Sequence, residues 1–146
     1  MSTEHHHAPL SRARRRALQA LYQWHLNPSP AAEIIAQFAA AQDFAGVDKP
    51  HFTELVSGVT GGAATLDKAL QALLDRPLAQ IDPLERTILR LAAYELLHCP
   101  AIPARVVINE AVDLAHRFGA TAGHAYVNAV TDRLARQARA AEFDTP

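Results

Sequence analysis

The amino-acid sequence predicts an all-α fold, and three observations predict it. Apolar residues recur at steps of three and four, the period of a helix that buries one face. Alanine and leucine dominate, and the β-branched residues are scattered rather than alternating. Proline and glycine cut the chain into helix-length pieces at Asn27-Pro28-Ser29-Pro30, Gly46, Gly61-Gly62, Pro77, Asp82-Pro83, Pro100 to Pro103 and Gly119 to Gly123.

The first helix is expected to begin after Ser11 and run to about Leu26, burying Ala17, Leu18, Leu21, Trp24 and His25. Arg12, Arg16, Gln19 and Gln23 follow one another on the opposite side, flanked by Arg15 and Tyr22. Ser29 caps a second helix with Pro30 at its first position, and Ile34, Ile35, Phe38 and Ala41 supply its inward side. Asp48 caps a third, in which Phe52, Leu55, Val56 and Val59 repeat and Leu66, Leu70, Leu73 and Leu74 continue the stripe. Gly61-Gly62 either interrupts that helix or is carried inside it at a cost of about 1 kcal/mol per glycine relative to alanine.

Asp82-Pro83-Leu84-Glu85 combines a capping box with proline at the first helical position, so the start of the fourth helix is the best-defined boundary. This helix runs through about His98 and is apolar almost all round, through Leu84, Ile88, Leu89, Leu91, Ala92, Leu96 and Leu97, which makes it the central helix of the core. Its polar strip is Arg86, Thr87, Arg90 and Tyr94, with Glu85 and Glu95 at the edges. Such a strip is either a contact surface or a set of salt links to neighbouring helices. A fifth helix spans about Ala104 to Phe118 with Gly119 as the residue after its end, and packs through Val107, Ile108, Ala111, Val112 and Ala115. A sixth spans about Gly123 to Ala138 and packs through Val127, Val130 and Leu134. Residues 1–10 and 140–146 read as flexible tails around one domain, 11–139.

A hydrophobic content of 49% with 20% charged residues is that of an ordinary globular chain. No stretch approaches the roughly 18 apolar residues of a membrane-spanning helix and no signal-peptide pattern opens the sequence, so the expectation is a soluble cytoplasmic protein. Cys99 is the only cysteine, which excludes an intrachain disulfide and a thiolate zinc cluster and reads as a small buried residue ending a helix before Pro100.

The phosphate loop, the dinucleotide fingerprint, the His-Glu-x-x-His pair and the Gly-x-Ser-x-Gly elbow are all absent from the sequence. No enzyme, cofactor or metal centre is expected. His5-His6-His7 is a surface triplet, His116 and His124 belong to different helices, and Glu110 with Asp113 reads as a solvated helix face. The net charge of −1 hides an asymmetry, because Arg12, Arg14, Arg15 and Arg16 face a single acid, Glu4, in the first 27 residues. This basic end is either a phosphate-binding surface or a solvated helix end. Single-stranded RNA is held by cations on phosphates, rings that stack on bases and amides that read base edges. Arg12, Arg14, Arg15, Arg16, Gln19 and Tyr22 supply all three, and His124, Tyr126 and Asn128 form a second set at the start of the sixth helix, where amides also favour phosphate.

Four segments carry a family resemblance: RRRALQALYQW (14–24), FTELVSGV (52–59), IDPLERTILRLAAYEL (81–96), and IPARVVINEAVDLAHRFG with HAYVNAVTDRLA (102–135). In this order and spacing they resemble the signature blocks of the NusB family of transcription antitermination factors. The resemblance implies a compact all-helical domain of about six to seven helices in two three- to four-helix halves. It also implies binding of boxA-type single-stranded leader RNA of ribosomal RNA operons together with NusE, a small-subunit ribosomal protein, in a complex with RNA polymerase, NusA and NusG. Carried over by position, Arg12, Arg14, Arg15, Arg16, Gln19, Tyr22, His124, Tyr126 and Asn128 would face RNA, and Glu85, Arg86, Arg90, Tyr94 and Glu95 would face NusE. Ala125 stands where the family often has lysine, and Ala129 where it commonly has glycine. Family members occur as monomers and as dimers, so a homodimer belongs among the expected partners. The competing reading is a helical protein–protein adaptor whose basic helix end is merely solvated.

Overall fold

A computed structural model of the chain describes residues 3–41, 43–119 and 123–144, with side chains from residue 8 onward. Among the described residues there are six α-helices, two short 3-10 helices and no strand: α1 (Thr3–Leu26), α2 (Ala31–Ala41), α3 (Lys49–Gln71), α4 (Pro83–His98), α5 (Ala104–Phe118) and α6 (Gly123–Ala138), with the 3-10 turns at Leu78–Gln80 and Ala140–Glu142. Contacts divide the chain into two compact units, residues 1–61 and 62–146.

In the first unit α1 starts at Thr3 rather than after Ser11. Pro9 lies within the helix, and its carbonyl accepts the N–H of Asp48 at 3.1 Å, which ties the early turns to the segment before α3. The buried stripe of α1 is Ala13, Arg14, Ala17, Leu18, Ala20 and Leu21. Trp24 and His25, expected inside, are only half-buried, because the helix ends at Leu26 and the stripe runs out with it. In α2, Ile34 and Phe38 are buried, Ile35 is half-buried and Ala41 is exposed. Asp48 caps α3 as expected, its Oδ1 accepting the N–H of His51 at 2.9 Å. Phe52 on α3 meets Phe44 edge-on at 5.0 Å and Phe38 at 6.2 Å, so one aromatic cluster anchors this half.

The α3 helix continues through Gly61 and Gly62 to Gln71. Leu66 and Leu70 are buried beyond the glycines, whereas Leu73 and Leu74 fall past the helix end and are half-buried. The side chain of Gln71 shapes the following turn, donating to the carbonyl of Arg76 and accepting the N–H of Leu78.

The second unit is built round α4, which packs on both α5 and α6. Its start is where the capping pattern puts it: Asp82 Oδ1 accepts the N–H groups of Leu84 and Glu85, and Pro83 opens the helix. Ile88, Leu89, Leu91, Ala92, Ala93 and Leu96 are buried, while Leu97, expected in the core, is exposed. Cys99 is buried at the end of α4, as the sequence suggests.

Gly119 does not adopt a left-handed conformation after α5, since its backbone is extended. Glycine is required there because a Cβ would press on the carbonyl of Ala115. Of the expected tail, residues 140–144 are described, and they form the 3-10 turn Ala140–Glu142 followed by a half-buried Phe143; residues 145 and 146 lie outside the described residues. Arg139 donates to the carbonyls of Glu95, Leu96, Cys99 and Ile102, and to Glu142. Phe143 lies under the guanidiniums of Arg105 and Arg136, at 5.0 and 4.7 Å.

Candidate functional site

On α1 the arginines divide by burial. Arg14 sits three and four residues before Ala17 and Leu18, on the buried stripe, and is 2% exposed. Burial withdraws it from the RNA-facing set to which the sequence reading assigned it. Arg12 is exposed, and its Nη1 donates to the carbonyl of Gly46 at 3.2 Å. Arg16 is half-buried, and its Nη2 donates to the carbonyl of Asp43 at 3.2 Å. A carbonyl is a dipole, so these bonds orient the guanidiniums without cancelling their charge.

The loop that orients them needs its glycine. Gly46 has φ +75°, and a Cβ there would run into the Arg12 guanidinium. Asp43 turns its own carboxylate toward the N–H of Ala45 at 2.9 Å. Arg12, Arg15 and Arg16 line a depression of about 190 Å³ with Asp43, Ala45 and Val47. Farther along α1, Gln19 is exposed and Tyr22 half-buried. Gln23 is tied to Gln37 by an amide–amide hydrogen bond of 3.0 Å.

In the second unit the start of α6 gathers a different set. His124 is half-buried, and its ring stacks on that of His116 with centroids 4.0 Å apart and planes 22° apart. The two histidines therefore do meet across helices, but as stacked rings. Among the described residues no group of three His, Cys, Asp or Glu could hold a metal ion, and the side chains of His5, His6 and His7 lie outside those described.

Tyr126 is half-buried and donates its hydroxyl to Asp75 Oδ1 at 3.1 Å, while the Arg76 guanidinium lies 5.0 Å from its ring centroid. Burial, then the bond to Asp75, raises the Tyr126 hydroxyl above its ordinary value. The hydrogen bond from Arg76 holds the Asp75 carboxyl below the usual carboxylate range. Asn128 and Ala125 are exposed, and Ala129 is half-buried.

The Glu85 carboxylate packs against Gly123, where a side-chain Cβ would collide with it. Burial, with the neighbouring charge of Asp82, raises the Glu85 carboxyl above its ordinary value. The amides opening α6, expected to favour phosphate, thus already have an acidic group of this chain beside them.

The polar strip of α4 is mostly structural. Arg90 is buried and forms a two-pronged ion pair with Asp67 of α3, both bonds 2.7 Å long. Glu95 is 2% exposed and Thr87 is buried, its hydroxyl donating to the carbonyl of Pro83. Arg86 donates to the carbonyls of Ala79 and Ile81, pinning the 3-10 turn. Arg90 and Glu95 therefore leave the partner-facing set. Glu85, Arg86 and Tyr94 remain half-buried at its margin, Tyr94 with its ring 5.0 Å from that of His98. Glu110, read as solvated, is buried, whereas Asp113 is exposed and paired with Arg117 at 3.0 Å.

Asp75 and Arg76 escape a sequence reading because they sit in an irregular turn about fifty residues from Tyr126, and only the fold joins them. Asp67 is missed in the same way. Arg139 carries a signal only in its place just after a helix.

No helix among the described residues is long and apolar enough to cross a membrane. The NusB family model matches residues 11–136. The chain is 52% identical over 132 residues to the transcription antitermination protein NusB of Xanthomonas axonopodis pv. citri, covering 90% of this chain and 83% of that one. It is 49% identical over 133 residues to the protein of the same description from Nitrosococcus oceani, covering 91% and 89%. The solved structure of T. maritima NusB superimposes with a TM-score of 0.80 at 26% identity, covering 92% of this chain and 96% of that one. With six helices in the described residues, a family match across both units and half of its residues shared with curated relatives, this chain belongs to the NusB family of transcription antitermination proteins.

Proposed function

We propose that the chain binds boxA-type single-stranded leader RNA of ribosomal RNA operons together with NusE, and that the pair enters an antitermination complex with RNA polymerase, NusA and NusG. The activity is binding, with no chemical step. The observation that supports RNA as ligand is the basic depression of α1, where Arg12, Arg15 and Arg16 converge and two of them are oriented by carbonyls. Pre-oriented guanidiniums suit phosphate oxygens, and the exposed Gln19 offers an amide to a base edge. Tyr22, half-buried, is the aromatic residue near these groups that could stack on a base. For NusE the supporting residues are Glu85, Arg86 and Tyr94, which burial leaves accessible on α4.

Anisotropy titration of a labelled boxA RNA against a scrambled RNA of equal length tests this, with and without NusE. Tighter binding of boxA, tightened again by NusE, is expected. Equal affinity for the two RNAs, or no effect of NusE, overturns it.

A further inference from the structure

The first two turns of α6, Gly123 to Val130, contain no lysine or arginine, yet Tyr126 lies beside two cations from elsewhere in its unit. One is Arg76, whose guanidinium covers the tyrosine ring at 5.0 Å. The other is Arg133, about two helical turns further along α6, held by a 3.3 Å bond to the carbonyl of Leu73. The Tyr126 hydroxyl is fixed by Asp75, which also pairs with Arg76 at 2.9 Å. Arg76 and Asp75 expose 49% and 66% of their side chains, and an exposed ion pair of this kind is held weakly and exchanges readily for another anion.

Arg76 and Tyr126 line a depression of about 290 Å³ with Asp82, Glu85 and Gly123. Its components match one nucleotide of a single strand. A guanidinium on a ring gives a planar platform for a base, the Asp82 carboxylate can accept from an exocyclic amino group, and the same guanidinium can take a phosphate by two parallel bonds.

We propose that Arg76 is a further RNA-binding residue, a cation laid over Tyr126 that exchanges its resident partner Asp75 for a phosphate of the bound strand. The inference rests on the RNA-binding reading above and adds Arg76 to the set of His124, Tyr126 and Asn128 that the family resemblance turns toward RNA in the second unit. Asp75 is then a placeholder anion: it keeps the guanidinium in position in the free protein and competes with RNA for it.

Anisotropy titrations of labelled boxA RNA over a range of salt concentrations test the idea on the full chain. Arg76→Ala is expected to weaken binding about tenfold and to flatten the slope of log affinity against log salt by about 0.7, the share of one phosphate on a single strand. Asp75→Asn is expected to tighten binding a few-fold, because the competitor is gone while Tyr126 keeps a hydrogen-bond acceptor. Thermal melts of both variants, expected to match the parent, check that they fold. Parent-like affinity and slope for Arg76→Ala overturn the proposal, as does a loss of binding in Asp75→Asn equal to that in Arg76→Ala, which would make the pair a structural clasp. If Arg76→Ala is silent while Arg15→Ala weakens binding, the RNA reading stands and the role of Arg76 falls. If the parent binds no RNA, both fall.

Discussion

Arg139 shows how much one side chain can do in a chain of short helices. The last carbonyls of a helix have no partner within it. Arg139 reaches those of Glu95, Leu96 and Cys99 at the end of α4 and that of Ile102 before α5, with its side chain 9% exposed. Arg139→Met keeps the apolar stem but removes all four of these bonds, leaving the carbonyls of Glu95 and Cys99 only the N–H groups of Cys99 and Ile102, and is expected to lower stability by about 2 to 3 kcal/mol in urea unfolding, since bonds to a buried charged donor exceed ordinary ones. A parent-like midpoint would show that water replaces the guanidinium without penalty. Its partner Glu142 has its carboxyl held below the ordinary range, first by the N–H of Ala104 and then by Arg139. A lowered folded-state value means stability that is present above the ordinary carboxylate value and is lost as pH falls through the folded one. Parent and Glu142→Gln are therefore expected to differ in melting temperature near neutrality and to converge in acid; a gap that persists at acid pH would count against the linkage. None of this was legible beforehand, because a tail and a hub look alike until the helix ends they meet are placed. The burial of Arg14 follows from helical spacing, three and four residues before Ala17 and Leu18, but the sequence reading weighs its charge instead and gives it to the RNA-facing set.

At the scale of elements, local chemistry reads well wherever a cap or a proline decides the backbone. Asp82 and Pro83 start α4 where their pattern demands, and Asp48 does the same for α3. The α3 glycines resist such reading, because the backbone cost of glycine is small against the packing of Phe52, Leu55, Val56 and Val59 before them and Leu66 and Leu70 after them. The helix runs on, and an added Cβ at Gly61 or Gly62 meets nothing within 4 Å. Gly61→Ala and Gly62→Ala are each expected to stabilise the protein by about 0.5 to 1 kcal/mol, the ordinary helix-interior difference. Urea midpoints check this, and a destabilised variant would mean that α3 needs a looser backbone at this point than a continuous helix implies. The polar strip of α4 failed for the complementary reason. Periodicity marked Arg90 as polar, but its meaning depends on Asp67, twenty-three residues away on another helix.

At the scale of the whole molecule, a formal net charge of −1 cannot draw a polyanion to the chain at large, so any RNA affinity must come from local fields. Burial sharpens where the field on α1 originates, since Arg14 is enclosed while Arg12, Arg15 and Arg16 line one depression. Three neutralised phosphates on a single strand contribute about −2 to the slope of log affinity against log salt. The triple variant Arg12→Ala, Arg15→Ala, Arg16→Ala is accordingly expected to lose about 2 from that slope and most of its affinity at low salt, while holding a near-parent melt because these side chains lie at or near the surface. Arg14→Ala is expected to do the reverse, lowering the melting temperature through loss of a buried side chain and leaving the slope of the folded protein nearly as it was. Anisotropy titrations at four or five salt concentrations, with melts of the same samples, decide between the two. A triple variant that keeps the parent slope would move the RNA away from α1, and a slope that collapses in folded Arg14→Ala would return that residue to the RNA-binding set.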